Sequence, residues 1–194
     1  MRARLTPLLR ALRGFRHNAE GVAAIEFALV FPVMLLVYLG TMEASTLISA
    51  DRRVQTVAAA VGDLVSRAKG KIPACDIKDY FKAASGIMQP YDDTALQQVV
   101  TSVHVAADGT TLVEWSKSED GSGTYTVGAT YPLPQAMKDI ALDAHVIVSE
   151  ASYAYPPITG FIYDQPIQLR RENFYLPRYG GSIVVDPTST ASCP

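Results

Sequence analysis

Glu20-Gly21-Val22-Ala23-Ala24-Ile25-Glu26-Phe27-Ala28-Leu29-Val30-Phe31-Pro32 decides how the rest of the chain is read. An arginine-rich stretch precedes it, a long apolar run follows it, and one carboxylate, Glu26, stands inside the apolar run. Hydrocarbon is a poor solvent for an ionised side chain. A carboxylate at the middle of a membrane helix costs about 2.5–3.5 kcal/mol on insertion scales, and such residues tend to mark function.

Working outward, Val22–Met42 is 21 residues with Glu26 as its only charge. As a helix it suffices to cross a hydrocarbon core of about 30 Å. The uncharged piece, Phe27–Met42, is only 16 residues, which makes Glu26 hard to place outside the membrane. A secretory signal has an apolar stretch of roughly 7–15 residues and a small-residue cleavage site. Here the run is longer and passes directly into a helical pattern, which argues against cleavage after it. Pro32 lies inside the span, where it removes one helix hydrogen bond and predicts a kink. Gly40, Thr41, Ala44 and Ser45 form a small-residue patch suited to close helix approach. Glu43 falls where the span should emerge and is expected to be solvated.

From Ser49 to Arg67 the helical period continues. Val54, Val57, Ala58, Val61, Leu64 and Val65 make one apolar stripe, with Arg52, Arg53, Gln55, Thr56 and Asp63 elsewhere. No turn signal separates this from the span. The sequence therefore predicts one helix over residues 22–68, spanning the membrane to about residue 48, of about 68 Å at 1.5 Å per residue. Gly70 and Pro73 end it.

The net charge of −2 hides an asymmetry. Residues 1–20 hold five arginines and one acid, leaving 12 basic and 18 acidic residues downstream, a net of −6. The basic part is short and adjoins the apolar run, so it reads as a topology signal and not as a nucleic-acid patch. At 48% hydrophobic and 19% charged residues, 194 residues make one ordinary domain plus an extension.

Past the long helix, Asp76–Gln89 carries Ile77, Tyr80, Phe81, Ala84 and Met88 on one helical face. The period then switches to two. Residues 99–105 and 112–116, joined by Asp108-Gly109, predict a hairpin. Ser118–Gly123 reads as a flexible loop. Tyr125, Val127, Ala129 and Tyr131 predict a third strand, Gln135–Leu142 a short helix, His145–Tyr155 the longest strand, and Gln168–Tyr175 a last one. Together these are an α+β fold: a long N-terminal transmembrane helix packed on a small antiparallel sheet, with residues 1–21 a leader and 69–194 a head domain. Of the two cysteines, Cys75 and Cys193, the first follows the long helix and the second ends the chain. If the apolar run exports the head, a Cys75–Cys193 disulfide would close a loop of over a hundred residues, a stabilisation of about 4–5 kcal/mol in the chain-entropy picture. Two separate thiols are the alternative.

A basic leader, Gly21, and Glu26 five residues later inside an apolar helix resemble the class III signal of type IV pilins and pseudopilins. Within that group, Gly21–Pro32 followed by Gly40-Thr41-Met42-Glu43 is similar to the TadE/TadF-like (TadE/TadG-type) minor pseudopilins of tight-adherence pili. Tyr153-Ala154-Tyr155-Pro156-Pro157 and Tyr175-Leu176-Pro177-Arg178 are similar to the C-terminal regions of TadE-like proteins. The specific likeness covers about 45 residues. Phe27 stands where major pilins of this system often have Tyr, and those pilins are far shorter; both departures favour a minor component. The resemblance implies a pilin-like fold and a cut by prepilin peptidase between Gly21 and Val22. Glu26 would become the fifth residue of the mature chain and pair with an N-terminal amine. It also implies other pilins, pseudopilins and the assembly platform as partners, and an inner-membrane location with the N-terminus cytoplasmic and the head periplasmic or carried into the pilus. The other reading is an uncleaved single-pass anchor carrying a periplasmic binding or sensor domain.

His17, His104 and His145 are isolated, and there is no HExxH, CxxC, GxSxG or phosphate-binding glycine motif. The expectation is no metal, no cofactor, no nucleic-acid partner and no catalysis.

Overall fold

The computed structural model describes residues 21–120, 123–158, 160 and 164–186. Helix α1 runs from Val22 to Ser66 without a break, 45 residues with Pro32 inside it. Every residue from Gly21 to Tyr38 is exposed, although all but Glu26 of Val22–Tyr38 are apolar or small. Further along, Ala50, Val54, Val57, Ala58, Val61 and Val65 are at most 1% exposed, while Arg52, Gln55 and Thr56 face solvent. The apolar stripe expected from the sequence is therefore the buried one. It begins earlier than expected. Glu43 is 2% exposed and not solvated, because it lies seven residues before Ala50 on that same stripe. The chain divides into two compact units between residues 44 and 45, so the second half of α1 belongs with the head.

In the head, β1 (Lys71–Pro73) leads into α2 (Ala74–Ser85), which buries Cys75, Ile77, Phe81 and Ala84. A 3-10 turn, Gly86–Met88, extends it and buries Met88. Strands β2 (Leu96–Val105) and β3 (Thr111–Ser118) form the expected hairpin, turned at Gly109 with φ of 81°. A short helix, α3 (Gln135–Ile140), precedes β4 (Ala144–Tyr155), β5 (Ile167–Tyr175) and β6 (Val184–Asp186). The main sheet is antiparallel in the order β3-β2-β4-β5, and β1 pairs with β6 in a separate parallel pair. This bears out the α+β reading: a long N-terminal helix followed by a small antiparallel sheet.

Alternation along β4 gives the sheet two buried faces. Ile147, Ala151, Tyr153 and Tyr155 join the stripe of α1 and Phe81 of α2 in the larger core. Val146 and Val148 join Val103, Val105, Val113, Tyr131, Leu133 and Ala141 in the smaller one, under the 125–142 segment. The closest approach of helix and sheet is at Gly62. A Cβ there would stand 2.4 Å from the Tyr175 ring, whose hydroxyl donates to the Ala59 carbonyl at 3.1 Å.

Two expectations fail. Residues 125–131 do not form a strand; the segment keeps one isolated bridge, Leu112 to Thr130. Gly128, with φ of 81°, and a turn in which Ala129 N–H donates to the Thr126 carbonyl at 3.1 Å interrupt the extended run. The β1–β6 pair was not foreseen, because three residues a side are too few to display a period.

Candidate functional site

Gly21 and Val22 open α1, and Val22 is half exposed. A Cβ placed on Gly21 would meet nothing within 4 Å, and Gly21 is not among the glycines of positive φ. Neither packing nor backbone conformation requires glycine at this position. Glu26 is exposed one turn beyond Val22, so an amine on Val22 and the Glu26 carboxylate share one face of the helix. Phe27 and Phe31 stack on an adjoining face with centroids 5.4 Å apart. Pro32 leaves the carbonyl of Ala28 without its usual helical donor. Farther along, the Thr41 hydroxyl donates back to the Val37 carbonyl at 2.8 Å, the way a hydroxyl is satisfied where water is scarce. Among the described residues, α1 is the one helix long and apolar enough to cross a membrane, and its N-terminal position is compatible with a single-pass anchor.

Residues 1–20, which carry the leader, lie outside the described residues, as does Cys193. Cys75 is buried in α2, with its sulfur 4.0 Å from Asp76 Oδ1. The expected disulfide thus involves one described cysteine.

The head holds two polar clusters that the sequence did not single out. In the first, a register shift in the hairpin between Ser102 and Val103 leaves Glu114 as the extra residue on β3. Its Oε2 accepts from the Ser102 hydroxyl at 2.8 Å and faces His145 Nδ1 at 3.0 Å. His104 and His145 are half-buried cross-strand neighbours with ring centroids 4.9 Å apart. Ser102 and His145 are aimed at the same carboxylate oxygen and not at each other, so no serine–base pair is formed. Among the described residues no group of three histidines, cysteines or carboxylates is arranged to hold a metal.

The second cluster centres on Glu150 of β4, which is 8% exposed. Its Oε1 accepts from the hydroxyls of Tyr125 and Tyr131 at 2.7 and 2.6 Å, and Arg170 of β5 donates to its Oε2 at 2.5 Å. Burial, then the Glu150 carboxylate, pushes both phenols above the usual tyrosine range. The negative charge of Glu150 first, and the hydrogen bond, hold the guanidinium of Arg170 more firmly protonated. The only sequence signal for this cluster was a charged residue, Glu150, in the middle of the longest strand.

No curated protein and no solved structure matches the chain. A family model described as TadE-like protein matches residues 21–63, beginning at Gly21 and running through Glu26 and Pro32 to Asp63. Over residues 21–63, the chain is a TadE-like protein.

Proposed function

We propose that the chain is a minor pseudopilin of a tight-adherence pilus, contributing to pilus initiation, assembly or tip structure. Prepilin peptidase cuts it between Gly21 and Val22, releasing the arginine-rich leader on the cytoplasmic side. The excess of arginine before the span favours a cytoplasmic N-terminus, which sends the head to the periplasm. The head acts by contact with other pilins, pseudopilins and the assembly platform, and carries out no catalysis.

The observation that carries this reading is the pairing of Gly21 with Glu26 at the head of an exposed apolar helix. Gly21 has space for a side chain on every side, so its identity is left to be accounted for by something that reads the sequence, such as a peptidase. Cleavage would place an ammonium on Val22, with an ordinary pKa of about 7.7–8.0. Glu26, four residues on, can neutralise it on its own chain or on a neighbour. In hydrocarbon an unpaired carboxylate is penalised, whereas one satisfied by a partner subunit is not. That contrast makes Glu26 a selective docking group. A kink at Pro32 would let the N-terminal turns of the helix adjust to the bundle that receives them.

Glu26→Ala and Glu26→Gln test the docking role. Both variants should insert into the membrane at normal levels, since removing a charge only eases insertion, and both should reduce the number of pili per cell. Unchanged pilus numbers in both would remove this role of the carboxylate.

A further inference from the structure

On the face of the sheet away from α1, three strands bring together residues far apart in sequence. Gln97 of β2 lies opposite Ser152 of β4, and Ser152 opposite Arg170 of β5, in one row across the sheet. Val99 and Glu150 form the next row, and Gln168 sits beyond Arg170 on β5. With Thr124 and Tyr125 as a wall, these residues line an open groove of about 400 Å³. Its floor is the buried Glu150, fixed by Tyr125, Tyr131 and Arg170. Its rim is exposed: Gln97, Thr124, Gln168 and Arg170 face solvent.

The chemistry of the lining narrows what can bind. β2 and β4 are each flanked by a strand on both sides, so their backbone groups are committed to the ladder. An extended peptide therefore has no main-chain partners here, and recognition falls to side chains. An anion is disfavoured. Arg170 is already paired with Glu150, and Glu172 stands directly opposite Glu150 on β5, so a negative ligand meets two carboxylates against one guanidinium. A purely apolar ligand is disfavoured by the charged pair on the floor. What remains is a rim of two amides, two hydroxyls and the unused guanidinium N–H groups, beside one tyrosine ring. Amides and hydroxyls both donate and accept, and so match a ligand whose own hydroxyls do the same. The fixed floor means that little ordering is needed on binding.

We propose that this groove is a binding site for a neutral saccharide, with Gln97 and Gln168 as the main hydrogen-bonding groups, Tyr125 as the apolar wall and the Glu150–Arg170 pair as a preorganised floor. The site belongs to the head alone and stands whether or not the leader is cut.

The test is saturation-transfer difference NMR on the full chain in lipid nanodiscs free of sugar-headed detergent. The probes are methyl β-glucoside, methyl α-mannoside, N-acetylglucosamine and, as the anionic counterpart, glucuronate. At least one neutral sugar should receive saturation on its ring protons, and more strongly than glucuronate. The double variant Gln97→Ala/Gln168→Ala touches only exposed side chains and should keep the wild-type circular dichroism. It should bind the same sugar roughly tenfold more weakly or worse, having lost two hydrogen-bonding groups. Gln55→Ala, on the other side of the sheet, should bind as wild type. No transfer to any neutral sugar, equal transfer in the double variant, or a preference for glucuronate would each overturn the assignment.

Discussion

The two halves of α1 treat their apolar residues in opposite ways. Val22–Tyr38 is apolar or small but for Glu26, and all of it is exposed. Ala50–Val65 mixes charges with apolar residues and buries the apolar ones to 1% or less. The second half obeys the rule for a helix in water, one stripe buried and the rest solvated. The first half breaks it, and an all-round apolar helix that is not buried calls for a medium other than water. Two glycines repeat the contrast. Gly62 is held to glycine by the Tyr175 ring 2.4 Å from where a Cβ would be, whereas nothing lies within 4 Å at Gly21. One glycine serves packing; the other is free for an outside reader.

Gly21→Val against Gly62→Ala breaks or sharpens this contrast most directly. Gly21→Val should abolish processing altogether while leaving the unfolding midpoint of the head unchanged. Processing that persists would assign Gly21 no role in the cut. Gly62→Ala should leave processing intact and destabilise the head by about 1–3 kcal/mol, as overpacked sites do. Tyr175 is pinned to α1 by its hydroxyl and has little room to give way. Denaturant unfolding reads this, and a stability equal to or above wild type would mean that the contact relaxes freely.

Smaller effects come from the groups on the sheet under the second half. Burial pushes the phenols of Tyr153 and Tyr175 upward. An unfolded phenol ionises near pH 10, so the folded state, which holds its protons longer, is favoured fully below that pH. The head should therefore lose stability as pH rises from about 10 towards the raised values. A flat stability curve between about pH 9 and 11 would contradict the burial of these phenols. Smallest is Asp63. The hydrogen bond from Arg67 first, and then that from Arg178, hold its carboxyl below the usual range, against some burial. This contribution is present above about pH 4 and fades as pH falls through the lowered value. Asp63→Asn should cost about 0.2–1 kcal/mol at neutral pH, as exposed pairs do. A larger loss would mean that Arg178 ties β5 to α1 more firmly than a surface pair can.

How much of this was legible in the sequence varies with the range of the interactions. The helix was readable because its period runs unpunctuated from Val22 to Ser66, and the hairpin because alternation meets Asp108-Gly109. Gly21 and Glu26 were readable because their meaning lies in local spacing. The groove was not, since Gln97, Ser152 and Arg170 become neighbours only through strand register. Residues 125–131 misled because Tyr125, Val127, Ala129 and Tyr131 do alternate. The two phenols reach Glu150 across a turn at Gly128, a bond that no local pattern announces.

The central claim is that Gly21 marks a cut and Val22 the mature N-terminus. Intact-mass measurement of the protein extracted from the membranes of piliated cells tests it directly. The account expects a chain lacking residues 1–21 and beginning at Val22. A full-length chain in cells that are making pili would contradict it.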